Sequence, residues 1–128
     1  MSNASDTRWL YRLEDVTFRF NRFANCKRSM KFLRRFALKV WKREGKNRRL
    51  PEISRVSGGV SWCRGFTEIA ICRGHQNILV LLHELTHALG PCVHGPKFVR
   101  LYFRLLQEYA GYSRVFLQGV AAGRGIYI

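Results

Sequence analysis

Residues 81–98 read LLHELTHALGPCVHGPKF and contain the residue types and spacing of a metal site. His83 and His87 are four positions apart, so in a helix both side chains lie on one face and can direct a ring nitrogen at the same ion. Histidine nitrogens bind Zn²⁺ at about 2.1 Å. Glu84 lies about 100° around the helix from His83, where a carboxylate can reach a water on the metal. The segment therefore predicts one zinc ion per chain, with Glu84 as the catalytic base.

The third protein ligand has two candidates. A catalytic zinc ion takes three protein ligands and leaves its fourth position to water. His94 follows a Gly90-Pro91 turn, which reverses the chain and returns the next helix toward the first two histidines. Glu108, farther along that next helix, is the alternative. We expect His94 to be the ligand because the turn that precedes it is compact.

Two other interpretations compete with a catalytic site. An H-E-x-x-H pattern occurs by chance in unrelated helices, and a zinc ion can be purely structural. Chance is disfavoured because buried histidines and a buried glutamate would each need a separate partner, whereas one metal ion satisfies them together. A structural site is disfavoured by Glu84, because such a site closes with four protein ligands and needs no acid beside the first one.

Helical patterns surround the histidines. An apolar helix is predicted to begin near Gln76 or Asn77 and to stop at Gly90, which is followed by proline. Pro96 is typical of the first turn of a helix, and apolar residues recur at helical spacing after it. The glycine-rich tail, 111–128, suggests a strand or an ordered arm.

Short strands are predicted before the metal helix. One lies around Ile53–Val56, and two more are joined near Arg64-Gly65. In the last strand Thr67, Ile69 and Ile71 share one face. We expect an extended substrate peptide to pair with this strand by strand addition, the usual way in which a protease holds a peptide backbone.

Several other side chains have a possible role and a plainer alternative. Tyr102 or Arg100 could stabilise a developing oxyanion, or could serve packing and the surface. His75 could line the cleft, although a loop histidine without a role is the simpler reading. Cys92 could bind zinc in a latent state, but a small apolar filler is the expectation. Core or half-buried anchors are expected at the three tryptophans, which are Trp9, Trp41 and Trp62.

Positive charge is concentrated in the first half of the chain. The net charge is +15, and fifteen of the 23 Lys and Arg residues, but only four of the eight acids, lie in residues 1–50. From about Asn25 onward an amphipathic helix is predicted over 27–44, capped by Asn25 or Ser29 and ended by Gly45. The residues before it are compatible with strand or helix. Eight basic residues occupy the polar faces and are the predicted nucleic-acid contacts: Lys27, Arg28, Lys31, Arg34, Arg35, Lys39, Lys42 and Arg43.

The partner of this basic half is open between three classes. Nucleic acid is the most common polyanion in a cell, an anionic membrane is second, and a merely solubilising charge is third. No run of 18 apolar residues and no apolar signal segment occur in the sequence, so neither a membrane span nor export is expected. The four cysteines form no C-x-x-C pair, and we expect reduced thiols in a cytoplasmic protein.

The segment LLHELTHALGPCVHGPKF resembles the zinc motif of SprT-like (Spartan-type) metalloproteases, in which an H-E-x-x-H helix is followed by H-G-P-x-F. TEIAIC resembles the strand before that helix, and the overall size is similar to small uncharacterised metallohydrolases of actinobacteria and their phages. The specific part of the resemblance covers about residues 66–109, and a looser match begins at YRLED, residues 11–15. It implies zinc ligands at His83, His87 and His94, Glu84 as the base, and a substrate protein attached to DNA. The turn after His87 is shorter than in Spartan proteins, and no zinc ribbon follows.

We therefore expect one α+β domain over residues 1–128 with a minimal zincin (minigluzincin-like) fold, a small sheet packed on the H-E-x-x-H helix. A basic helical part covers about 1–48, the metal-binding core about 49–110 and the tail 111–128. The expected function is zinc-dependent hydrolysis of peptide bonds in a protein or peptide substrate, with DNA-associated proteins as candidate targets. The alternative is a non-catalytic, zinc-stabilised nucleic-acid-binding protein.

Overall fold

Six helices and one three-stranded sheet are found in the computed structural model, which describes residues 4–128. Helices and strands are segregated rather than alternating along the chain, so the predicted α+β class is confirmed. The helices are α1 (Ala4–Arg12), α2 (Arg22–Asn25), α3 (Met30–Glu44), α4 (Ile78–Ala88), α5 (Pro96–Ala110) and α6 (Arg114–Ala122). The strands are β1 (Glu52–Val56), β2 (Trp62–Arg64) and β3 (Glu68–Cys72).

Local sequence signals set the ends of three predicted helices. The Ser29 side chain accepts a hydrogen bond from the Phe32 N–H and begins α3, and Asn77 accepts one from the Val80 N–H and begins α4. Pro96 occupies the first turn of α5. Gly111 ends α5 with φ of +76°, in the left-handed region that glycine tolerates best. These boundaries agree with the sequence-based expectations for the helices around the histidines.

The sheet has the order β1-β3-β2, with β3 in the middle. β3 pairs in parallel with β1 and antiparallel with β2. Both edges of β3 are therefore taken, and it cannot accept a substrate strand. Ile69 and Ile71 are 1% and 0% exposed, while Thr67 is exposed and lies just outside the strand. The prediction that Ile69 and Ile71 bind substrate is wrong, because both side chains are buried, whereas a substrate contact at Thr67 stays a prediction.

Helix α4 is the centre of the core. It contacts the sheet through β2 and β3, and it packs against α2, α3 and α5 as well. Leu81, Leu82 and Leu85 are completely buried. Burying each such side chain stabilises the fold by about 1.5–3 kcal/mol. The helix that carries the H-E-x-x-H pattern is therefore held from several sides, which fixes the direction of its histidines.

The N-terminal segment, which the sequence left undecided, is helical. α1 continues into a wide π-helical turn at Leu13–Thr17, which ends with the Phe18 N–H donating to the Leu13 carbonyl. Leu10, Leu13 and Phe18 are buried in the core. This segment therefore belongs to the folded core that surrounds α4, and the predicted division at residue 48 does not separate it from the site.

The tail is also helical, contrary to the expected strand or arm. Ser113 accepts a hydrogen bond from the Phe116 N–H and begins α6, and Leu117 and Ala121 are buried. The glycines that suggested an irregular arm lie at position 119 within α6 and at 123 and 125 beyond it. None of the helices between Ala4 and Ile128 combines the length and the apolarity that crossing a lipid bilayer requires.

Candidate metal centre

The three predicted histidine ligands come together. The Nε2 atom of His94 lies 3.2 Å from Nε2 of His83 and 3.1 Å from Nε2 of His87. Nitrogens that bind one tetrahedral zinc ion at 2.0–2.1 Å are about 3.3–3.4 Å apart. The turn between α4 and α5 is what returns His94 to the face of α4. The three nitrogens are therefore spaced to share one ion.

The other ring nitrogen of each histidine has its own partner. His83 Nδ1 lies 2.5 Å from Glu14 Oε2, and His87 Nδ1 lies 2.9 Å from the Pro91 carbonyl oxygen. His94 Nδ1 lies 3.2 Å from the Thr7 hydroxyl. Partners of this kind hold a metal-binding imidazole in one orientation and fix which nitrogen carries the proton. All three rings are thus oriented with Nε2 toward the shared point.

Proton counting at the cluster favours a cation. A carboxylate and a carbonyl oxygen only accept hydrogen bonds, so His83 and His87 each carry a proton on Nδ1. In the neutral rings the lone pairs on their Nε2 atoms then face His94 Nε2. A single proton on His94 Nε2 cannot satisfy two facing lone pairs. One positive ion at the shared point satisfies all three nitrogens, so the donor set fits a metal ion.

Glu14 was missed by the sequence analysis and is the most consequential of the residues around the cluster. Its Oε2 accepts from His83 Nδ1 and also from the Tyr102 hydroxyl at 2.7 Å. Thr7 and Tyr11 are four residues apart and lie on the same face of α1, and Glu14 follows Tyr11 by three residues. That spacing is a usable signal for a shared face. The sequence gives no sign that the face meets histidines 69 residues away.

The three histidines differ in the direction of their pKa shifts. Burial lowers the pKa of His83, but the charge and hydrogen bond of Glu14 raise it, and the net shift is upward. Burial and the neighbouring His83 and His87 lower the pKa of His94 to about 4. Burial also lowers the pKa of His87. The shifts at His87 and His94 favour the neutral form, which binds metal, and Glu14 favours a positive charge at His83, which a proton or a bound metal ion can supply.

Glu84 lies beside the cluster with its carboxylate uncommitted. It is 5% exposed, and no hydrogen bond engages its carboxylate anywhere in residues 4–128. Burial raises its pKa to about 7, with the His83 charge lowering and the Glu14 charge raising it. Glu84 lines two adjoining clefts rather than the core. A carboxylate with these properties is available to exchange a proton with a molecule in the cleft.

The two clefts adjoin at His83 and Glu84. Their volumes are about 330 and 490 Å³, and both are lined by Tyr11, Val60, Ser61, His83 and Glu84. The Tyr11 ring, 47% exposed, lies 6.1 Å from the His83 ring and 5.8 Å from the His94 ring, measured between centroids. The first cleft also borders β2, which pairs with β3 alone within the described sheet. The free edge of the sheet beside the site is therefore that of β2.

Three alternative roles for residues on α5 do not fit the structure. Tyr102 is completely buried and donates to Glu14, so it orients the site and does not contact substrate. Arg100 donates its Nε–H to the Tyr127 carbonyl. Glu108 is exposed and pairs with Arg104 at 3.3 Å, outside the histidine cluster. The predicted substrate contact at Tyr102 is wrong because the helix turns that side chain into the core.

The remaining candidates differ in position. His75 lines the second cleft, and its Nδ1 lies 3.0 Å from the Ser61 hydroxyl. Cys92 is exposed at the first cleft, so the prediction that it is a small apolar filler is wrong. The tryptophans are core or half-buried anchors as predicted, with Trp41 5% exposed.

The predicted nucleic-acid contacts divide into two groups. Arg28 and Arg34 are engaged by the fold: Arg28 donates to the Phe23 carbonyl, and Arg34 donates to the Ile53 carbonyl at 2.9 Å. Arg43 lies over the Tyr109 ring. The other five side chains are exposed, and none forms a hydrogen bond or ion pair within residues 4–128: Lys27, Lys31, Arg35, Lys39 and Lys42.

Fold and site together define an α+β domain with a preformed three-histidine cluster and an adjacent free carboxylate. Comparisons of the chain with protein-family models, with curated proteins and with solved structures found no match.

Proposed function

We propose that this protein is a zinc-dependent hydrolase, most simply a peptidase of the zincin type related to the SprT-like enzymes that its motif resembles. One observation carries the proposal: three oriented Nε2 atoms converge on one point, and beside it lies a carboxylate that has no hydrogen-bond partner within residues 4–128. A structural zinc site would close with a fourth protein ligand, and the cluster within residues 4–128 contains three histidines alone. The open side faces a cleft.

His83, His87 and His94 would hold the ion. Zinc, when bound, supplies a Lewis acid and lowers the pKa of a coordinated water toward about 7. Glu84 then acts through its carboxylate: it accepts a proton from the attacking water and delivers it to the departing amine nitrogen.

The substrate is proposed to be an extended peptide. The free edge of β2 lies along the first cleft, where backbone N–H and C=O groups can pair with a peptide backbone. We propose β2 rather than β3 for strand addition, because within the described sheet the unpaired edge beside the histidines belongs to β2. The basic surface of the protein would suit substrates bound to a polyanion, DNA-associated proteins among them.

The test is metal content and casein hydrolysis measured on the same preparations. Wild type is expected to contain one zinc per chain and to cleave casein. Glu84→Gln should keep the zinc and lose about 10²–10⁴-fold in rate, because the proton acceptor is gone. Glu52→Gln removes an exposed carboxylate of β1 and serves as the matched control, with unchanged rate.

Three outcomes count against the proposal. Absence of zinc from the wild type contradicts the metal centre. Full activity of Glu84→Gln contradicts the assigned base. Stoichiometric zinc without hydrolysis of casein or of DNA-bound basic proteins supports the non-catalytic, zinc-stabilised nucleic-acid-binding alternative instead.

A further inference from the structure

A phenylalanine-rich and acid-free block lies outside the metal centre. Residues 16–43 contain ten Lys or Arg residues and five phenylalanines but no Asp or Glu. Amphipathic packing explains part of this, since Leu33, Ala37 and Val40 of α3 are completely buried. Phe32 and Phe36 pack against this core only in part. Both remain half-buried at the border of the basic face.

Three phenylalanine rings form a cluster on this border. The Phe32 and Phe36 rings lie 6.0 Å apart at 25°, and the Phe23 ring of α2 lies 6.3 Å from that of Phe36. Phe23 is 47% exposed. The Arg28 guanidinium lies 4.5 Å from the Phe32 centroid and 5.0 Å from the Phe23 centroid. Aromatic faces and a cation are thus presented together on one surface.

Free positive charges continue from this cluster along α3. Lys31, Arg35 and Lys39 are spaced four residues apart, so they form a row with a rise of about 6 Å per step. Their side chains have no acidic partner within residues 4–128. Arg28 also has no carboxylate partner there, and its Nε is buried without an acceptor. The row and the cluster together are called the aromatic–basic surface: Phe23, Arg28, Lys31, Phe32, Arg35, Phe36 and Lys39.

We propose that the aromatic–basic surface binds single-stranded nucleic acid, a function separate from the proposed hydrolase. The lysines and arginines neutralise successive phosphates, and the phenylalanine rings stack on bases. This combination of a basic track and aromatic platforms is how proteins hold single strands without reading their sequence. Stacking requires bases that are free of a partner strand. A duplex, whose bases are stacked inside, could use only the charges.

An anionic membrane is the competing occupant, and the position of Arg28 disfavours it. Inserting the phenylalanine rings into the acyl region would carry the guanidinium between Phe23 and Phe32 out of water. Removing a charge from water without an ionic partner is costly. On a nucleic acid the same guanidinium remains beside phosphates and can itself stack on a base.

The experiment measures fluorescence anisotropy of labelled oligothymidylate and oligouridylate with the full chain, beside a duplex of the same length. Single strands should bind more tightly than the duplex. Phe23→Leu/Phe32→Leu/Phe36→Leu, which keeps the net charge, should weaken single-strand binding by about 10–100-fold and leave duplex binding unchanged. Lys31→Gln/Arg35→Gln/Lys39→Gln should weaken binding to both. For single strands, the slope of log affinity against log salt concentration should fall in magnitude by about 2.

The matched control removes the same charge elsewhere. Arg73→Gln/Lys97→Gln/Arg114→Gln changes three exposed basic residues that are not part of this surface and should weaken binding far less than the α3 variant. Circular dichroism checks that each variant is folded. If the phenylalanine variant does not fold, the α3 charge variant carries the test. Equal losses for both charge variants would overturn the proposal. An undiminished affinity of a folded phenylalanine variant would also overturn it. Phosphatidylserine vesicles are the membrane probe: variants that lose binding to these vesicles but keep binding to single strands would overturn it as well.

Discussion

The metal ligands and the side chains that orient them are distributed differently along the chain. His83, His87 and His94 fall within twelve residues, on one helix and the turn after it. Their orienting partners include Thr7 and Glu14, which come from α1 and the π-helical turn that follows it. Glu14 in turn is held by Tyr102, 88 residues away. The ligands are a local motif, whereas their orientation is a property of the whole fold.

The difference shows which contacts fix the orientation of the histidine rings. Helical spacing alone brings two imidazoles to one face, but each ring can still rotate about its own bonds. Buried partners on other elements remove that freedom. A site built this way should lose the ion when a ligand is removed and lose only part of its affinity when an orienting group is removed.

The largest effect is expected for a ligand. His87→Ala should reduce bound zinc from one per chain to nearly none after dialysis, because two imidazoles do not hold a zinc ion. Metal analysis of the purified protein measures this. Cys92→Ala, in the turn beside the ligands, should retain the full amount. Stoichiometric zinc in His87→Ala would place the ion elsewhere.

Glu14→Gln is expected to have the next largest effect. The amide keeps the shape but loses the negative charge that favours a cation at His83, so zinc affinity should fall by about 10–100-fold. Competition with a chromophoric chelator measures the affinity. Asp15→Asn makes the same charge change at the exposed neighbouring position and should alter it little. If the two variants behave alike, the partnership of Glu14 with His83 does not matter for binding.

Tyr102→Phe tests the link between α5 and the N-terminal segment. Removing a completely buried donor to the Glu14 carboxylate should lower the free energy of unfolding by about 1.5–3 kcal/mol. Urea denaturation in the presence of chelator separates this effect from metal binding. Tyr109→Phe removes a hydroxyl that donates to Glu44, away from the site, and should leave zinc affinity unchanged. A Tyr102→Phe protein as stable as wild type would show that this hydrogen bond contributes nothing.

The smallest effect is expected at Thr7. Its hydroxyl lies 3.2 Å from His94 Nδ1, and water can replace it because His94 is only partly buried. Thr7→Val should weaken zinc binding about two- to tenfold, the range for one neutral hydrogen bond. Thr7→Ser keeps the hydroxyl and should restore the affinity. A Thr7→Ser variant as weak as Thr7→Val would indicate that packing by the methyl group, not the hydroxyl, is responsible.

Much of the fold was predictable from local signals. The caps at Ser29 and Asn77, proline at the start of α5 and the three short strands all follow from the chemistry of a few neighbouring residues. α6 was not predicted, although Ser113 is a good helix cap. Its glycines outweighed the apolar spacing of Leu117 and Ala121, which pack against the core. Tertiary packing therefore decided the secondary structure of a segment whose local propensity was ambiguous.

Substrate positions were the least predictable part of the site. Residues 67–72 were expected to present one face to substrate, yet the order β1-β3-β2 places this strand in the centre, in keeping with the uninterrupted apolar run at residues 69–72. Strand order depends on which elements pair across the chain, and no pattern within one strand encodes it. Tyr102 was misassigned for a related reason: helical spacing gives the face of α5 but not the element that covers it.

The sequence by itself determined that two histidines share a helical face, that a third follows a tight turn, and that positive charge is concentrated in the first half of the chain. Each of these depends on spacing or composition over a few residues. Only the tertiary structure decided that Glu14 and Thr7 orient the rings, that β2 has the free edge, and that Phe23, Phe32 and Phe36 meet beside Arg28. Those contacts join elements far apart in the chain, and they form because complementary apolar faces pack around α4.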